Sequence, residues 1–458
     1  METGDISWLT SLAARELLLF AAAGFLIGGL DELAVDLIWI CRTTRRRWFM
    51  RHRRACAATI APPRQPGRIA VFIPAWDEAT VIGAMLRTTL SRFGDGDFRL
   101  YVGCYPNDPA TTGVVAALAA QSTLLRLVVC GRPGPTTKAD CLNHLWRALL
   151  ADEAKDGVRA KAIVLHDAED VVHSAELRIF DRLIERRDLI QLPVLPMLDP
   201  RSRWIAGHYA DAFAEAHSKT MVVREAVGAA LPSAGVGCAF SRRAMDWVAA
   251  ANHGRPFDER SLTEDYELGL RIHEAGGRAA FVRLPGIGRR GTVAVREHFP
   301  GTLDAAVRQK ARWMAGIALN GWDRLGWRGG LAERWMRLRD RRAPLAAVVL
   351  AAGYAALLLW GLCLALGIRP LPIGPGWRLV LAVNVAMLGW RMAARFAFVR
   401  LAYGWAEAAR AMPRMIVGNI IDMIAARRAV RDYLRARRDG MVRWEKTDHH
   451  FPQLVPDE

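Results

Sequence analysis

The sequence has few lysines and no paired cysteines. Its seven cysteines are scattered, at positions 41, 56, 104, 130, 141, 238 and 363, and no two of them form a Cys-x-x-Cys pair. This pattern argues against a disulfide framework and against a cysteine-based zinc site, and it fits a reducing compartment. Lysine occurs only six times, so arginine supplies nearly all of the positive charge.

The chain also has too few acidic residues to balance its arginines. Among 458 residues, which is enough for two or three domains, 63 basic and 46 acidic side chains leave a formal net charge of +17. Such an excess is typical of proteins that bind nucleic acid, an anionic membrane surface or phosphorylated substrates. The sequence has no helix-turn-helix, zinc or RNA-binding signature, so we expect no nucleic-acid partner.

Three long apolar runs predict membrane-spanning helices and hence a bilayer as partner. Residues 343–368 carry no charge and are long enough to cross a bilayer as a helix. Residues 379–399 form a weaker span, because Arg391 and Arg395 would have to snorkel or pair. The turn-rich segment RPLPIGPGW joins these two into a hairpin, and residues 17–40 form the third span.

The N-terminal span is unusual because it contains Asp31, Glu32 and Asp36. It has neither a basic n-region nor a small-residue cleavage site, so it is not predicted to be a removed signal peptide. The arginine-rich run CRTTRRRWFMRHRR follows it. The positive-inside rule therefore places the N-terminus outside, and it places both the segment after residue 41 and the C-terminal region in the cytoplasm.

Composition divides the chain into six predicted segments. They are a transmembrane segment (1–41), a basic juxtamembrane linker (42–67), an α/β domain (68–320), an interfacial helix (321–342), a transmembrane hairpin (343–400) and C-terminal cytoplasmic or interfacial helices with a tail (401–458). The interfacial assignments rest on segments that mix apolar and arginine-rich faces, at 321–338 and 413–430. Helices that pack against soluble protein are the alternative for both.

Strands and helices alternate between about residues 68 and 299. Compact apolar runs such as RIAVFIPA are followed by stretches with helical spacing, which predicts a parallel sheet covered on both faces. In such sheets ligands bind at the carboxyl ends of the strands. The polar residues at these ends are Asp77, Glu78, Asn107, Asp108, Lys138, His166, Asp167, Glu169 and Asp170.

The motif HDAED places three carboxylates within four residues, directly after a predicted strand. Carboxylates this close repel one another unless a cation or hydrogen-bond donors compensate. A divalent cation shared with a substrate diphosphate would explain them, while a loop that caps a helix is the alternative. Farther on, two glycines in SAGVGCAF (233–240) would let a ligand approach the backbone, although a plain turn explains them almost equally well.

Two later motifs are ambiguous on their own. LTEDYELGLR places Thr263, Glu264 and Asp265 at the start of a predicted helix, where a threonine cap and first-turn acids are a sufficient explanation. VRQKARWMAG has the spacing Gln-x-x-Arg-Trp, which puts an amide, a guanidinium and an aromatic ring on one helix face. Such a face suits a sugar, a phosphate or a glycan chain, but a helix with a buried tryptophan gives the same pattern.

The motifs together resemble inverting family 2 glycosyltransferases. The order PAWDE, a strand-end aspartate, KADCLN, HDAED, TED and QKARW is similar to that of processive membrane polysaccharide synthases such as cellulose and hyaluronan synthases. The segments LPSAGVGCAFSRRAM and WEKTDHHFP (444–452) resemble more closely the glycosyltransferase part of the bacteriophage adsorption protein B type, inner-membrane enzymes of exopolysaccharide production. The resemblance covers about residues 15–452, and it implies a Rossmann-like GT-A domain on the cytoplasmic side of a bacterial inner membrane.

The resemblance also implies where the sugar donor binds. The residues that would hold the nucleotide of a UDP-sugar, either a UDP-hexose or a UDP-N-acetylhexosamine, are Asp77, Glu78, Asp108 and Lys138. Asp167 would be the first acid of a site for Mg²⁺ or Mn²⁺ and diphosphate. Either Glu169 or Asp170 would be the second acid, and the sequence leaves that choice open.

The catalytic roles are implied in the same way. Within the motif Thr263–Asp265, Asp265 would be the general base that deprotonates the acceptor hydroxyl, next to Glu264. Arg312 would stabilise the charge that develops on the diphosphate. Trp313, beside Gln309, would form a platform under the acceptor sugar.

The resemblance leaves three readings of the function. The first is a processive synthase with a growing glycan as acceptor, an envelope export partner and a homo-oligomeric assembly. The others are transfer of a single sugar to a lipid carrier, and a non-catalytic membrane scaffold or phage-entry component. Proteins of the adsorption type usually continue into a cytoplasmic regulatory region after WEKTDHHFP. Since the sequence stops at Glu458, it leaves control by cyclic di-GMP in doubt.

Overall fold

A computed structural model describes residues 3–49, 55–286, 291–439 and 451–452. Its centre is a seven-stranded sheet with the order β3-β2-β1-β4-β6-β5-β7. The strands are short apolar runs, and all except the edge strand β3 are almost wholly buried, as expected for a sheet that is covered on both faces. They are β1 (Ile69–Pro74), β2 (Phe98–Cys104), β3 (Leu125–Val129), β4 (Ala162–Leu165), β5 (Leu189–Gln191), β6 (Cys238–Ser241) and β7 (Ala279–Phe281).

Eight helices cover this sheet or follow it directly. They are α2 (Ile82–Phe93), α3 (Pro109–Ala119), α4 (Lys138–Asp156), α5 (Glu176–Leu183), α6 (Ile205–Glu215), α7 (Met221–Ala226), α8 (Arg242–Ala251) and α9 (Glu264–Glu274), numbered after the N-terminal α1 (Thr3–Phe49). A π-helical stretch, Ala216–Thr220, joins α6 to α7. These elements confirm the predicted α/β class.

One strand departs from the predicted parallel arrangement. β1 to β4 are mutually parallel, but β6 runs antiparallel to both of its neighbours, β4 and β5. A short buried apolar run reads the same in either direction, so periodicity alone could not give the orientation of β6. Because β6 is reversed, the loop 227–237 enters at the same edge of the sheet as the carboxyl ends of β1 and β4, and it brings two glycines to that edge.

The C-terminal half is helical throughout the part of the chain that the structure describes. Its helices are α10 (Leu303–Met314), α11 (Gly321–Leu325), α12 (Leu331–Arg341), α13 (Ala343–Ala365), α14 (Pro375–Tyr403) and α15 (Trp405–Asp439), with a π-helical stretch, Ala315–Asn320, between α10 and α11. The predicted interfacial helix 321–342 is therefore two helices. Gly326 and Gly329, at φ +55° and +96°, separate them in a conformation that glycine adopts without strain.

Three helices, α1, α13 and α14, are long and apolar enough to cross a membrane. They coincide with the three predicted spans. With 47 residues, α1 is roughly 70 Å long at 1.5 Å per residue, more than twice the roughly 30 Å of a hydrocarbon core. Its arginine-rich C-terminal end therefore extends well beyond the apolar span.

Helix α15 has two contrasting faces. Ile421, Ala425 and Ala429 are buried against the protein, whereas Ile416, Ile420 and Ile424 are between 43% and 53% exposed. The exposed isoleucines recur every four residues and thus form one apolar stripe. This pattern is compatible with a helix on a membrane surface, and the division of the chain into membrane, interfacial and catalytic segments stays a prediction. All of the motif WEKTDHHFP except its last two residues lies outside the described residues.

Candidate functional site

The carboxyl ends of β1 and β4 open onto a cavity of about 330 Å³. The N-termini of α4 and α9 and one face of α10 complete its walls. Ten of the thirteen predicted site residues line this cavity. They are Glu78, Lys138, Asp167, Glu169, Thr263, Glu264, Asp265, Gln309, Arg312 and Trp313. The fold thus gathers motifs that are separated by more than 200 residues in the sequence.

Lys138 is the central cation of the cavity. It is the first residue of α4, which Thr137 caps by accepting a hydrogen bond from the Asp140 amide. Its Nζ lies 2.5 Å from Oδ1 of Asp167, just past the end of β4. Burial alone would lower the pKa of Lys138, but the charges of Asp167, Glu264 and Asp265 outweigh it and raise the pKa. Lys138 therefore stays charged and joins the two acidic motifs.

Glu264 and Asp265 occupy the first turn of α9, where Glu264 is buried and Asp265 is half-buried at the cavity wall. Burial raises the pKa of Glu264 to about 7, with a further contribution from the negative charge of Asp265. Burial also raises the pKa of Asp265, although Lys138 and the Tyr266 amide oppose the rise. A carboxylate with a raised pKa is better suited to accept a proton near neutral pH than an exposed one.

Gly235 explains why the glycine loop lies against the Asp265 carboxylate. A Cβ added at Gly235 would be 2.4 Å from Oδ2 of Asp265, and the residue has a φ of +78°. Both the space and the backbone conformation therefore require glycine. The neighbouring Ser233, Ala234 and Val236 line the cavity. The segment SAGVGCAF thus belongs to the site.

The third acid of HDAED faces away from the cavity. Asp170 is fully buried, and its Oδ2 lies 2.7 Å from Nδ1 of His166. Nε2 of the same imidazole is 2.6 Å from Glu176. Burial would lower the pKa of His166, but the two carboxylates raise it to about 10. Asp170 therefore orients the motif from behind, while Asp167 and Glu169 line the cavity.

Asp167 and Glu169 could hold a divalent cation only together with other ligands. Within the described residues, no group of three or more His, Cys, Asp or Glu side chains is arranged to hold a metal ion. Two carboxylates do suit Mg²⁺ and Mn²⁺, which take oxygen ligands and usually complete their shell with water and substrate phosphates. The donor set therefore fits a metal that binds together with a diphosphate.

Asp77 and Asp108 lie beside the cavity rather than on its wall. Asp108 caps α3, and its two carboxylate oxygens accept hydrogen bonds from the amides of Thr111, at 3.2 Å, and Asp77, at 2.6 Å. Asp77 has a φ of +55°, an uncommon conformation for a non-glycine residue. Asp108 thus holds the turn that presents Glu78 to the cavity, and the predicted nucleotide contacts of Asp77 and Asp108 stay predictions.

Helix α10 presents Gln309, Arg312 and Trp313 to the cavity together. The guanidinium of Arg312 makes no hydrogen bond and no ion pair with any described residue. The Trp313 ring centroid is 6.0 Å from that of Tyr209 and 6.3 Å from that of Phe299, so one side of the ring packs while the residue also lines the cavity. A guanidinium without a partner beside a buried acidic cluster is available for an anionic ligand.

Two buried oxygens of the site also lack a hydrogen-bond partner within the described part of the chain. They are Oε1 of Gln309 and Oγ1 of Thr263. Buried polar atoms are nearly always hydrogen-bonded, and each exception calls for an explanation such as a bound ligand or water. Alanines of α10 and of the π-helical stretch after it share a buried cluster with alanines of α13 and α15, so this wall of the cavity adjoins α13, which is long and apolar enough to cross a membrane.

Sequence reasoning missed several residues that line the cavity, among them Phe213, His217 and Glu297. Nδ1 of His217 accepts a hydrogen bond from the Val194 amide at 2.8 Å, and burial lowers the pKa of His217 to about 4, so the ring is neutral. His217 lies on the π-helical stretch after α6, where the widened turn changes which residues face inward. No motif in the sequence marks that change.

Comparison with known proteins identifies relatives along nearly the whole chain. The model of the family described as Glycosyltransferase like family 2 matches residues 66–316. Bacteriophage adsorption protein B of Escherichia coli (strain K12) is 35% identical and aligns with 98% of this chain, as does bacteriophage N4 adsorption protein B of Escherichia coli O157:H7. The chain spans 64% of the length of each of these two relatives.

A solved structure has the same fold. The mannosyltransferase PcManGT from Pyrobaculum calidifontis, in complex with GDP-Man and Mn²⁺, aligns with 92% of this chain and 99% of its own length. The TM-score is 0.53 and the sequence identity is 15%. This likeness confirms the GT-A architecture of the sheet domain. The match of the family model over residues 66–316 shows that the chain belongs to the glycosyltransferase-like family 2.

Proposed function

We propose that the protein is an inverting, processive inner-membrane glycosyltransferase that extends a secreted polysaccharide from a UDP-sugar. One observation carries this proposal. The first-turn acids of α9, the Lys138–Asp167 pair and the α10 face with Arg312 and Trp313 line a single cavity. A candidate base, cations for a diphosphate and an aromatic platform are thus within reach of one bound sugar.

In the proposed reaction, Asp265 takes the proton from a hydroxyl of the acceptor. The acceptor oxygen attacks the anomeric carbon from the side opposite the nucleotide, so that a new carbon–oxygen bond forms and the bond to the diphosphate breaks. UDP leaves with the electron pair of that bond, and the anomeric configuration inverts. Lys138 and Arg312 counter the negative charge that develops on the leaving diphosphate.

The metal site of the proposal consists of Asp167 and Glu169, with oxygens of the substrate completing the ligand shell. A bound Mg²⁺ or Mn²⁺ would neutralise part of the diphosphate charge and lower the barrier to its departure. Asp170 acts through its contact with His166 and is not proposed as a ligand, because Asp167 and Glu169 line the cavity and Asp170 does not. The Mn²⁺ in PcManGT supports divalent metal use in this fold.

The nucleotide site of the proposal lies at the ends of β1 and β2. Glu78 contacts the ribose or base directly from the cavity wall. Asp108 keeps the turn at Asp77 in place by accepting a hydrogen bond from the Asp77 amide. Lys138 contacts the phosphates, where its charge would be shared between Asp167 and the donor. The proposal therefore gives Asp108 an orienting role in addition to any contact with the nucleotide.

Trp313 is proposed to support the acceptor sugar. Its ring lies on the wall that adjoins α13 and α15, which is where a growing chain would pass toward the membrane. Aromatic faces suit the apolar side of a sugar ring. The arginine-rich flank of the first span supports a cytoplasmic catalytic domain and export of the glycan to the other side, with the help of an envelope partner or a second copy of the chain.

The test is a donor screen on membranes that contain the protein. We expect UDP release from one UDP-hexose or UDP-N-acetylhexosamine, loss of release on chelation of divalent cations, and a polymer in the product. A product with one added sugar that extracts into organic solvent would replace the processive reading by transfer to a lipid carrier. Absence of UDP binding would leave the non-catalytic scaffold as the better reading.

A further inference from the structure

Helix α12 lies between the first membrane helix, α1, and the helix that carries the candidate base, α9. Its polar residues form two stripes, each with the spacing i, i+4, i+7, which keeps side chains on one helix face. The stripes are offset by two residues, or about 200° around the helix, so they point in opposite directions. They comprise Trp335, Arg339 and Arg342 on one side and Glu333, Arg337 and Asp340 on the other.

The first stripe binds two acids of α1. Nε1 of Trp335 donates to Oδ1 of Asp31 at 2.6 Å. Arg339 and Arg342 each form ion pairs with both Asp31 and Glu32, the pairs with Glu32 at 2.8 Å and 2.6 Å. These contacts also explain why the apolar span of α1 contains two acids, because the carboxylates of Asp31 and Glu32 are both neutralised by Arg339 and Arg342.

The second stripe begins with contacts to the catalytic domain. Oε2 of Glu333 accepts a hydrogen bond from the Ala230 amide at 2.7 Å, at the start of the loop that leads to the cavity glycines. Arg337 is fully buried and donates to Glu274 at the C-terminal end of α9, at 2.8 Å. Arg337 also binds Glu333 within α12, at 2.6 Å. One end of α9 is thus fixed to α12.

Asp340 fixes the other end of α9. One of its oxygens, Oδ2, accepts a hydrogen bond from the Tyr266 hydroxyl at 2.7 Å. Nη1 of the buried Arg224 lies 2.8 Å from both Asp340 oxygens, which holds the carboxylate in one orientation. Tyr266 directly follows Asp265 in the first turn of α9, so the candidate base is one residue away from this anchor.

We propose that α12 is a strut between the membrane helix α1 and the catalytic helix α9, and that Asp340 is a positioning residue that acts on Asp265 through Tyr266. This inference rests on the proposed function of Asp265 as the base. Proton transfer and attack need the reacting atoms within a few tenths of an ångström of their productive places. Since α12 is anchored to α1, the strut also fixes the base relative to α1.

The first test is Tyr266→Phe in the full-length protein in membranes. This substitution removes only the hydroxyl that binds Asp340. We expect kcat to fall by about tenfold to a hundredfold, with the KM for the UDP-sugar and the affinity for UDP within about twofold, because the ring of Tyr266 still lines the cavity and the lost hydroxyl was bound to Asp340. The matched control is Tyr433→Phe, which removes another tyrosine–aspartate hydrogen bond, to Asp323, between two residues that do not line the cavity, and should leave kcat unchanged.

The second test asks whether Asp340 acts through Tyr266. We expect Asp340→Asn to lower kcat about as much as Tyr266→Phe, and the double variant to be no slower than the slower single variant. Effects that multiply, or a Tyr266→Phe enzyme with normal kcat, would overturn the strut. If Asp340→Asn does not fold, because Arg224 loses its partner, Tyr266→Phe alone decides. Loss of activity in Asp265→Asn together with a normal Tyr266→Phe rejects the strut only, whereas an active Asp265→Asn rejects the base itself.

Discussion

Two clusters of buried polar groups differ in how completely they are paired. One lines the cavity, and the other, which we call the membrane cluster, lies where α1 and α14 meet the end of α6 and the π-helical stretch, and comprises Asp36, Glu215, Lys219, Trp390 and Arg395. In the membrane cluster, acids and bases pair with one another: Nζ of Lys219 lies 2.6 Å from Asp36 and 2.7 Å from Glu215. Arg395 binds the second oxygen of Glu215, and the indole of Trp390 binds Asp36. Few hydrogen-bonding positions in this cluster are left for a ligand.

The cavity contains charged and polar groups of the same types, but several of them have no partner. Arg312 has no ion pair within the described residues, and oxygens of Gln309 and Thr263 have no hydrogen bond there. Unpaired buried groups are destabilising unless something else satisfies them. The comparison therefore favours a role in assembly for the membrane cluster and a role in ligand binding for the cavity.

The largest expected effect is that of Asp265→Asn. The amide keeps the size of the side chain but cannot accept the acceptor proton, so we expect UDP release to slow by roughly 10²-fold to 10⁴-fold. UDP affinity should change little, which equilibrium binding of UDP would show. An unchanged rate would mean that the base is another group, and Glu264→Gln would be the next variant to measure.

The next largest effect is expected for Arg312→Gln. This change removes a guanidinium that lines the cavity and that we propose to face the diphosphate, and we expect kcat to fall by about 10²-fold to 10³-fold. Lys310→Gln, two residues away, is the matched control, because Lys310 points to Asp422 on α15 rather than into the cavity. Equal losses in the two variants would show that α10 tolerates no charge change and that Arg312 has no special role.

Much of the fold could be predicted from the sequence, because long apolar runs and alternating elements are local signals. The three helices that are long and apolar enough to cross a membrane and the α/β class followed from such signals. The direction of β6 did not, because a buried strand such as Cys238–Ser241 has no directional pattern. The break at Gly326 and Gly329 was also missed, although glycine pairs of this kind are a recognisable signal for the end of a helix.

The candidate site was predictable only where motifs mark it. Asp167, Asp265 and Arg312 were found because strand ends and motif order identify them. His217 was missed because its place in the cavity depends on a π-helical stretch, and Asp340 was missed because its partner Tyr266 is 74 residues away. Contacts between distant segments leave no local trace in one sequence, so such residues require a structure.

A smaller effect, on stability rather than on rate, is expected for Lys219→Met. The substitution leaves Asp36 and Glu215 buried without their shared cation, which we expect to lower the free energy of unfolding by about 3–5 kcal/mol. Thermal unfolding in detergent measures the change, and kcat per folded molecule should stay within about twofold. The control Arg308→Met breaks an exposed pair with Asp304 and should cost less than about 1 kcal/mol.

Lys219→Met also tests whether the membrane cluster serves assembly alone. If Lys219→Met abolishes turnover while the unfolding temperature stays the same, the paired charges of this cluster take part in function. The cluster would then resemble the cavity, in spite of its complete pairing, and the distinction between assembly and binding would fail.

The smallest effect is a shift in the pH dependence of kcat/KM, which reports groups of the free enzyme. Burial raises the pKa of Asp265, so its carboxylate takes up a proton at a higher pH than an ordinary aspartate, near 3.9. Because the base must be ionised, activity is lost as the pH falls through that raised pKa. We therefore expect an acid limb clearly above about pH 4.

Glu264 allows the cause of this shift to be tested. Its pKa of about 7 exceeds the ordinary value of 4.5, so the folded protein loses stability as the pH rises between these values and Glu264 ionises. Glu264→Gln should remove that loss in thermal unfolding. It should leave the acid limb of kcat/KM in place, because the raised pKa of Asp265 comes from burial and from the charge of Asp167, and Glu264 is already protonated where Asp265 takes up its proton. An acid limb at the ordinary aspartate value in the parent enzyme would contradict the buried base, and with it the contrast between a cavity poised for proton transfer and a membrane cluster whose charges are paired.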